Sequence, residues 1–510
     1  MARTTGMVAS QPDRRGPLMA AHADPARAAA ASPANNPARE PTRGPTRDPA
    51  WPARDPAWSA RDLAWPIRTG AMPPPASAFT ARTDSVPGVE SLLEPGAAVA
   101  LVPVRDSAVA ADGWAQPSGK TQLASHLAAS LWQSGDIDFL AWVNAADRAS
   151  VLSGYAAAAA RLGLDDGGDG ESVAARFLAW LKGAARPWLV VLDDLRNAAD
   201  LDGLWPEGPA GRLVITAPDA RAVPAGRRAV PVPVPAFSLR EAIAYLFDRL
   251  TTDPNQRGGA YDLADDLGCG PVALGHAAAV MADSGIGCRD YQDYFRRQRE
   301  RLPAVAGREP PAAAVTWLLS ADYAAGLLPG EGTWLLLVLA ALVDGHGIPR
   351  AVLTAPATVR YLAGGGGGLP ADPEHAWRAA LALGRAGLVG LGPDDDAAVW
   401  VSPALQAAVR AAAAPELLDL AARAAANAVL EAWPKDQPRS VLAARMRACA
   451  ESLLRHAGDA LWGGDSCHRV LLAVGQSAAA ARLAGPAIDW WREITARCER
   501  LLGGDHPDTL

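Results

Sequence analysis

The tetrapeptide Ser118-Gly119-Lys120-Thr121 limits the fold more than any other stretch, because it joins a predicted strand to a predicted helix. An apolar run at residues 97–104 precedes it, and leucines recur at helical spacing after it. A glycine turn that opens a helix directs backbone N–H groups toward an anion. In such a loop the lysine reaches the terminal phosphates and the threonine holds Mg²⁺. The sequence therefore predicts a phosphate-binding loop.

This loop is incomplete against the pattern G-x-x-x-x-G-K-[ST]. Trp114 stands where the first glycine is expected, and Gly113 lies one residue too early. The alternative interpretation is an ordinary polar helix start. Only three of the 48 basic residues are lysines, so the lysine in this loop indicates that a compact, flexible charge is wanted there.

Apolar strands alternate with helical periods over the first half of the chain, which predicts a parallel sheet with helices on both faces. Predicted strands lie at residues 97–104, 139–143, 188–192 and 212–216, and predicted helices at 147–162 and 171–183. Beyond residue 234 the pattern is mainly helical, at 239–250, 258–267, 271–284, 289–301 and 312–327. Ser238 and Glu241 form a capping box for the first of these helices. A strand pair is predicted near 388–391 and 398–401, and helices from 415 to the end.

Residues 1–76 are rich in Pro, Ala, Arg and Asp and are predicted to be disordered. A seven-residue repeat runs through this segment at 47–53, 54–60 and 61–67, with the pattern R-D-x-A-W. One interpretation is a multivalent tryptophan motif for a partner groove. The sequence favours the other, a duplicated spacer, because Pro-rich low-complexity tracts usually act as linkers.

Bulk properties exclude several classes of protein. A length of 510 residues predicts about three domains. The net charge is −7. The first 70 residues carry about +4, so the rest of the chain carries about −11, and that negative charge argues against nucleic-acid binding. Five scattered cysteines imply neither a disulfide framework nor a zinc site. The apolar run at 334–343 is too short to span a membrane, and the N-terminus lacks a secretory pattern, so a cytoplasmic protein is predicted.

Two acids, Asp193 and Asp194, directly follow the apolar strand at 188–192. The carboxyl ends of parallel strands line the ligand crevice of such sheets, so both carboxylates are predicted to face it. A phosphate loop needs such an acidic site to hold Mg²⁺ and orient water. A plain loop start is the alternative, but the order of loop and acids favours nucleotide binding.

Several ordered motifs resemble those of the STAND class of P-loop NTPases, specifically actinobacterial NB-ARC proteins with tetratricopeptide repeats. The resemblance covers about residues 77–510. Residues 79–83 are similar to the family's entry motif, 113–121 to its phosphate loop and 189–194 to its acidic strand. Residues 270–274 are similar to its GxP segment, 377–391 with 399–410 to its winged-helix region, and 503–510 to its lead-in to a repeat array. The resemblance implies a nucleotide-binding domain (77–236), a helical lid (237–305), a winged-helix-like domain (306–413) and a helical region leading into repeats (414–510).

Site residues follow from the same resemblance. It implies nucleotide contacts by Arg82, Gly113, Ser118, Gly119, Lys120, Pro271 and Ser402, Mg²⁺ held by Thr121 and Asp193, and a catalytic Asp194 that orients water. A solvated linker charge is the alternative for Arg82, and a first-turn helix proline for Pro271. Two departures weaken catalysis. Ala217-Pro218-Asp219 lacks the family's sensor arginine, and Ser402 stands where a histidine normally contacts the diphosphate.

The leading hypothesis is a signalling switch gated by ADP or ATP with Mg²⁺, at most a slow ATPase. The second is a scaffold without nucleotide turnover that binds an unknown protein through its C-terminal helices. A winged-helix transcription regulator is disfavoured, because residues 373–412 lack a basic face. Nucleotide-driven homo-oligomers are also compatible with the resemblance. The chain ends where a repeat array would begin, which predicts a fragment or a shortened member.

Overall fold

The structure is a computed structural model, and it describes residues 63–74, 79–80, 82, 84, 86, 88–104, 118–164, 169–302, 310–328, 330, 332–364, 372–392, 395, 398–434, 438, 440–462 and 466–509. A parallel sheet with flanking helices occupies the first part of the described chain, and the remainder is mostly helical. This architecture confirms the predicted α/β P-loop NTPase fold class with a helical remainder.

The parallel sheet has six strands. They are β1 (Ile67–Thr69), β2 (Ala98–Pro103), β3 (Phe139–Asn144), β4 (Trp188–Asp193), β5 (Gly211–Thr216) and β6 (Ala229–Val234). Their order across the sheet is β1-β3-β4-β5-β2-β6, and every neighbouring pair is parallel. The four strands predicted from sequence are β2 to β5, within one residue at either end.

Helices cover both faces of this sheet, which explains why its central strands are continuous apolar runs. The first three helices are α1 (Lys120–Ser134), α2 (Arg148–Arg161) and α3 (Gly170–Gly183). Along β4, Leu189 and Val191 pack with α1, whereas Val190 and Leu192 pack with α2 and α3. Every residue of β4 is buried, so the acids that end it are held on a rigid element.

The strand order creates a switch point between β2 and β5. After β2 the chain crosses over β5 and β4 to reach β3, whereas after β5 it crosses β2 to reach β6 on the other side. Neighbouring strands whose connections leave in opposite directions open a crevice at their carboxyl ends, and ligands of such sheets bind there. The start of α1 and the ends of β4 and β5 all lie at this edge.

Residues 63–74 correct the prediction that all of 1–76 is disordered. Ile67–Thr69 forms β1, and its residues pair in register with Phe139–Ala141 of β3. The third repeat differs from the others by carrying Leu63 and Ile67, and Ile67 is buried in the sheet core. These aliphatic side chains supply the apolar area that the upstream copies lack. The first two copies lie outside the described residues.

Besides β1, two strands were not predicted from sequence. β6 alternates proline and valine, which normally argues against a strand. It forms because it is the edge strand next to β2, where Pro231 and Pro233 need no ladder partner on their outer side. β7 (His346–Ile348) is only three residues long and is defined by its pairing with a distant strand.

Five helices follow the sheet, as predicted: α4 (Leu239–Arg249), α5 (Ala260–Asp266), α6 (Pro271–Ser284), α7 (Cys288–Arg301) and α8 (Ala312–Leu327). The capping box at the start of α4 is confirmed, with Ser238 and Glu241 each accepting a backbone N–H. Glu241 is buried and also accepts the Asp84 N–H, which ties α4 to the chain before the phosphate loop.

A second, three-stranded antiparallel sheet follows with order β7-β9-β8. The elements of this region are α9 (Gly332–Ala340), β7, α10 (Arg350–Leu353), α11 (Pro356–Gly364), α12 (Pro373–Arg385), β8 (Gly390–Leu391), β9 (Val399–Trp400) and α13 (Pro403–Ala412). The predicted strand pair corresponds to β8 and β9. The domain limits predicted from sequence remain predictions.

Four helices complete the described chain, in number as predicted: α14 (Pro415–Glu431), α15 (Val441–His456), α16 (Arg469–Ala480) and α17 (Ala484–Leu502). They pack back onto the sheet region, since Ala156 of α2 packs against an apolar cluster that includes Leu483 and Ala487. Arg455 of α15 also lies 3.7 Å from the Asp147 carboxylate at the start of α2. No helix in the described ranges is both long and apolar enough to cross a membrane.

Candidate phosphate and metal site

The start of α1 is built on Gly119, which has a φ of 79°. This left-handed conformation favours glycine. A Cβ at this position would lie 3.1 Å from Nη2 of Arg82 and within 4.0 Å of Pro271 carbon atoms. Within the described residues no side chain caps α1, so its first N–H groups are available to an anion. Three predicted site residues therefore meet at one turn.

Lys120 is the first residue of α1, and its Nζ lies 3.5 Å from the Ser118 hydroxyl oxygen. Burial lowers the pKa of Lys120, the carboxylates of Asp194 and Asp193 oppose that shift, and Arg82 adds to it. The lysine is thus close enough to sense both acids and the arginine. Two cations beside a helix N-terminus form a site for a strongly charged anion.

Asp193 ends β4 and is 1% exposed. Its Oδ1 accepts hydrogen bonds from Thr121 Oγ1 at 2.9 Å and from Thr216 Oγ1 at 2.6 Å. Its Oδ2 is buried without a hydrogen-bond partner in the part of the chain that the structure describes. Burial raises the pKa of Asp193 despite these two hydrogen bonds and the nearby His346.

An unpartnered buried carboxylate oxygen beside a threonine hydroxyl fits a magnesium ion. Leaving such an oxygen without a donor or cation is costly, and Mg²⁺ prefers oxygen ligands and usually keeps several waters. Over the described ranges, no group of three or more His, Cys, Asp or Glu side chains could hold a metal. A site built on Asp193 and Thr121 therefore fits a cation that also binds substrate phosphates, rather than a structural metal.

Asp194 has a carboxylate partner different from those of Asp193. Its φ is 66°, a left-handed conformation that aspartate tolerates better than most residues, and its N–H donates to Thr216 Oγ1 at 2.9 Å. Its Oδ2 accepts from Nε and Nη2 of Arg196 at 3.0 and 2.7 Å. The predicted catalytic carboxylate is thus held in an ion pair, a contact that the sequence motif did not predict.

Arg82 is 5% exposed, which excludes the alternative of a solvated linker charge. It donates to the carbonyl oxygens of Pro235, at 2.7 Å, and of Ser118. Its guanidinium lies 4.7 Å from the centre of the Phe237 ring. Burial lowers the pKa of Arg82 to about 10, against the opposing charge of Glu241. The side chain clamps the phosphate loop to the segment that follows β6.

The remaining predicted residues divide into two groups. Pro271 is the first residue of α6, as the alternative interpretation has it, and it also approaches Gly119. Its nucleotide contact stays a prediction. Ser402 is exposed at the N-cap of α13, where its hydroxyl accepts the Leu405 N–H at 3.3 Å. That contact is local, and the nucleotide contact of Ser402 stays a prediction. Gly113 lies outside the described residues.

Two residues at this edge were missed from sequence. Thr216 ends β5 and bridges both acids, and the only sequence signal for it is a hydroxyl after an apolar strand. His346 of β7 lies 2.8 Å from the Asp344 carboxylate through Nδ1. Burial lowers the pKa of His346, but the Asp344 carboxylate and then Asp193 and Asp194 outweigh it and raise it to about 9. A cation from the second sheet therefore faces the acid pair.

Arg410 of α13 and Arg455 of α15 lie around His456 together with Arg196, the partner of Asp194. Burial lowers the pKa of His456 to about 4, and Arg410, Arg455 and Arg196 add to that shift. Arg410 donates to the Ala341 carbonyl at 2.6 Å. Arginines of the C-terminal region thus lie near Arg196.

No family model matches the chain, and no curated protein matches it. Among solved structures, it is similar to a signal transduction ATPase with numerous domains (STAND) protein with a tetratricopeptide repeat sensor from Pyrococcus horikoshii. The identity is 12% and the TM-score 0.46, over 84% of this chain and 61% of that chain. This chain thus spans less than two thirds of that protein's length. The STAND class is also the one that the sequence motifs resemble.

Two further structures are similar to this chain. Cdc6p from Pyrobaculum aerophilum matches at 14% identity and a TM-score of 0.29, over 64% of this chain and 89% of that chain. The ORC1 protein of Aeropyrum pernix, in complex with DNA, matches at 16% identity and a TM-score of 0.27, over 66% and 93%. At these levels of similarity, the fold is identified by the chain's own strand order and by the position of Lys120.

Proposed function

We propose that the chain is a nucleotide-dependent signalling switch of the STAND and NB-ARC type, which binds ADP or ATP with Mg²⁺ at the start of α1 and hydrolyses it weakly or not at all. One observation carries the proposal. Asp193, fixed by the hydroxyls of Thr121 and Thr216, keeps a buried oxygen without a partner beside Lys120 and the uncapped start of a helix.

Each residue of the site has a defined task in this proposal. The N–H groups after Gly119 and the ammonium of Lys120 would bind the terminal phosphates, with Ser118 beside them. Thr121 and Asp193 would hold Mg²⁺. Asp193 would bind the metal through its Oδ2 oxygen, which lacks a hydrogen-bond partner among the described residues. Bound Mg²⁺ would neutralise phosphate charge. Arg82 and Pro271 would border the bound nucleotide beside the phosphate loop, since both approach Gly119.

A switch requires that ADP and ATP favour different states, because equal affinity for two states shifts neither. The site draws residues from separate parts of the chain. Arg82 joins the phosphate loop to Pro235, Pro271 comes from α6, and His346 comes from the second sheet. A change in charge at the γ-phosphate would therefore act on contacts that hold these parts together.

Weak hydrolysis is part of the proposal for two reasons. Asp194, the carboxylate that would orient water, is engaged by two nitrogens of Arg196. The stretch after β5, Ala217-Pro218-Asp219, supplies no cation, and Asp219 instead accepts the Arg221 N–H of a short 3-10 turn. A transition state that gathers charge on the γ-phosphate would have Lys120 but no second cation from this strand.

The Arg196–Asp194 pair also supports a second candidate, a scaffold that keeps nucleotide without turning it over and binds proteins through α14 to α17. Leu420, Val441 and Ile488 on these helices are exposed large apolar side chains. In either case we propose a cytoplasmic protein that binds an unidentified protein partner, with nucleotide-driven self-association as a further property. The charge outside the first 70 residues argues against nucleic acid as the partner.

Calorimetry with Mg-ADP and Mg-ATP tests the proposal. Lys120→Ala is expected to weaken binding of both nucleotides by about 10- to 100-fold, since a hydrogen bond to a charged group contributes about 1.5–3 kcal/mol. Lys182→Ala is a matched control. Lys182 is an exposed lysine of α3 that pairs with Glu207, so its loss also removes one lysine charge but leaves the phosphate loop intact. Equal affinity of Lys120→Ala and the unaltered chain would refute nucleotide binding at this loop.

A further inference from the structure

The third tryptophan repeat docks on the edge of the parallel sheet. We call its binding site, formed by Trp180, Arg186 and Asp138 around the Trp65 ring, the tryptophan seat. The Trp65 ring stacks on Trp180 of α3 with centroids 6.4 Å apart and planes 9° from parallel. The Arg186 guanidinium lies 4.6 Å from the Trp65 ring centre, and Asp138 pairs with that guanidinium at 3.2 Å. Trp180 packs edge-on against Phe139. An aromatic ring contacted by a second ring and a paired cation is a specific recognition site for tryptophan.

Only the third repeat can continue from this seat into β1. Ile67 and Thr69 are buried after Trp65, and Gly70 adopts a φ of 80° where a Cβ would collide with the Trp142 carbonyl. The second copy offers Ala60, Asp62 and Leu63 at the corresponding positions, and the first offers Ala53, Asp55 and Pro56. The upstream copies therefore repeat the tryptophan but not the buried isoleucine or the required glycine.

From β1 the chain runs along α1 toward the phosphate loop. We call the described residues 63–74, 79, 80 and 82 the N-terminal strap. The carbonyl oxygens of Pro73 and Pro74 accept hydrogen bonds from Ser125 Oγ at 2.9 Å and Gln122 Nε2 at 3.2 Å. Phe79 then stacks on His126 with centroids 4.0 Å apart.

The strap ends on the proposed nucleotide site. Arg82, its last residue, donates to the Ser118 carbonyl and lies over Gly119. The strap is therefore fixed at both ends, by the tryptophan seat at one end and by the phosphate loop at the other, with α1 beneath it.

We propose that Trp65 is a positioning residue: docking of the third repeat holds the strap along α1 and thereby fixes Arg82 on the phosphate loop, which slows release of a bound nucleoside di- or triphosphate. The occupant of the seat is the chain's own third repeat. A ligand that captured this repeat would speed nucleotide exchange without touching the phosphate loop. The nucleotide half of this inference rests on the proposed function.

Full-length Trp65→Ala and Trp58→Ala form a matched pair, since both remove a tryptophan from the same repeat pattern. We expect Trp65→Ala to speed amide hydrogen exchange in β1 and at residues 122–126, and to raise the dissociation rate of a fluorescent ADP about tenfold by stopped flow. Trp58→Ala should change neither quantity. Trp65→Phe, which keeps a ring in the seat, should restore most of the unaltered behaviour and guards against misfolding of the alanine variant.

The outcomes separate the two halves of the inference. If Trp65→Ala sped amide hydrogen exchange in β1 but left the dissociation rate of the fluorescent ADP unchanged, the link between the strap and the phosphate loop would be overturned. Unchanged exchange in Trp65→Ala, or an equal effect of Trp58→Ala, would overturn the seat itself. If the unaltered chain bound no nucleotide, the proposed function would fail, and exchange at residues 122–126 would still decide whether the strap positions α1.

Discussion

At the scale of single residues, we expect ATP turnover to depend on the contact between Arg196 and Asp194. A carboxylate that accepts two hydrogen bonds from a guanidinium is held in one orientation by its partner. The pair is local, two residues apart, and follows a strand that buries every side chain. Any rearrangement that freed Asp194 would have to move Arg196, which already lies near Arg410.

Arg196→Gln should therefore increase ATP hydrolysis. Removing the guanidinium leaves Asp194 available to orient water, and we expect a rise of about tenfold in the single-turnover rate, a modest share of what a positioned base contributes. Arg196→Lys, which keeps the charge, should stay within about twofold of the unaltered chain. A rate in Arg196→Gln that equals or falls below the unaltered rate would contradict the idea that this pair restrains turnover.

Local pattern predicts some of these residues and not others. Lys120, Thr121 and Asp193 could be predicted because each adjoins a recognisable strand or helix, and Thr121 and Asp193 are indeed hydrogen-bonded across 72 residues. Thr216 and His346 could not, because their roles arise only when β5 and β7 reach the same edge. Ser402 was selected by resemblance to a motif, and its local capping role is set by the start of α13.

At the scale of elements, the packing of β4 against β5 depends on one large ring beside a glycine. Trp188 begins β4, is fully buried and donates from Nε1 to the Leu181 carbonyl at 3.0 Å. Gly211 begins β5 opposite it, and a Cβ on Gly211 would collide with the indole ring. The two strands therefore keep their register only while position 211 lacks a side chain.

Gly211→Ala is accordingly expected to destabilise the parallel sheet by about 3 kcal/mol, the upper range for overpacking a core. Native-state hydrogen exchange of the β4 and β5 amides would measure the loss. Gly183→Ala on α3 is the comparison, since a Cβ there meets no atom within 4 Å, and it should be neutral or slightly stabilising. Similar protection in Gly211→Ala and the unaltered chain would show that the strands can shift to accept a methyl group.

The elements themselves could be predicted where apolar periodicity was strong. α6 and α8 begin and end at the predicted residues, and β2 to β5 fall within one residue of prediction. β1 and β6 could not be predicted, because their sequences are rich in proline or lie in a low-complexity tract. Both are edge strands, where pairing on one side is sufficient and tertiary contacts override local preference.

At the scale of the whole molecule, the second sheet and α15 are tied together by Arg445. Arg445 of α15 donates to the carbonyl oxygens of His346 and Gly347 at 2.6 and 3.0 Å. The His346 charge also reaches Asp193 and Asp194 of the parallel sheet. Burial raises the pKa of Asp344, but His346 and Arg445 outweigh it and lower the pKa to about 2.

These shifts predict a stability that depends on pH in a defined direction. The pKa of His346 in the folded chain, about 9, exceeds its ordinary value of 6.5, so its contribution is complete below pH 6.5 and is lost as the pH rises through 9. The Asp344 contribution is present above pH 3.8 and is lost as the pH falls through 2. We expect a loss of about 2 kcal/mol between pH 6.5 and 9, reduced for the partial exposure of His346.

Thermal melting at intervals between pH 6 and 9 would measure this dependence. His346→Gln should flatten the curve over that range, because the variant cannot bind the additional proton in the folded state. The same substitution in an Asp344→Asn background should have little further effect, since the partner carboxylate is already neutral. An unaltered slope in His346→Gln would assign the dependence to another group.

The position of β1 has a practical consequence for any shortened form of the protein. A chain begun at residue 77, the limit that composition alone suggests, would leave unpaired the backbone N–H and C=O groups on the outer edge of β3, while β4 still pairs with its other edge. Such an edge is a template for intermolecular strand addition, and aggregation is its usual result. Residues 63–70 thus act as the chain's own protection against self-association, although they lie within a tract that resembles a linker.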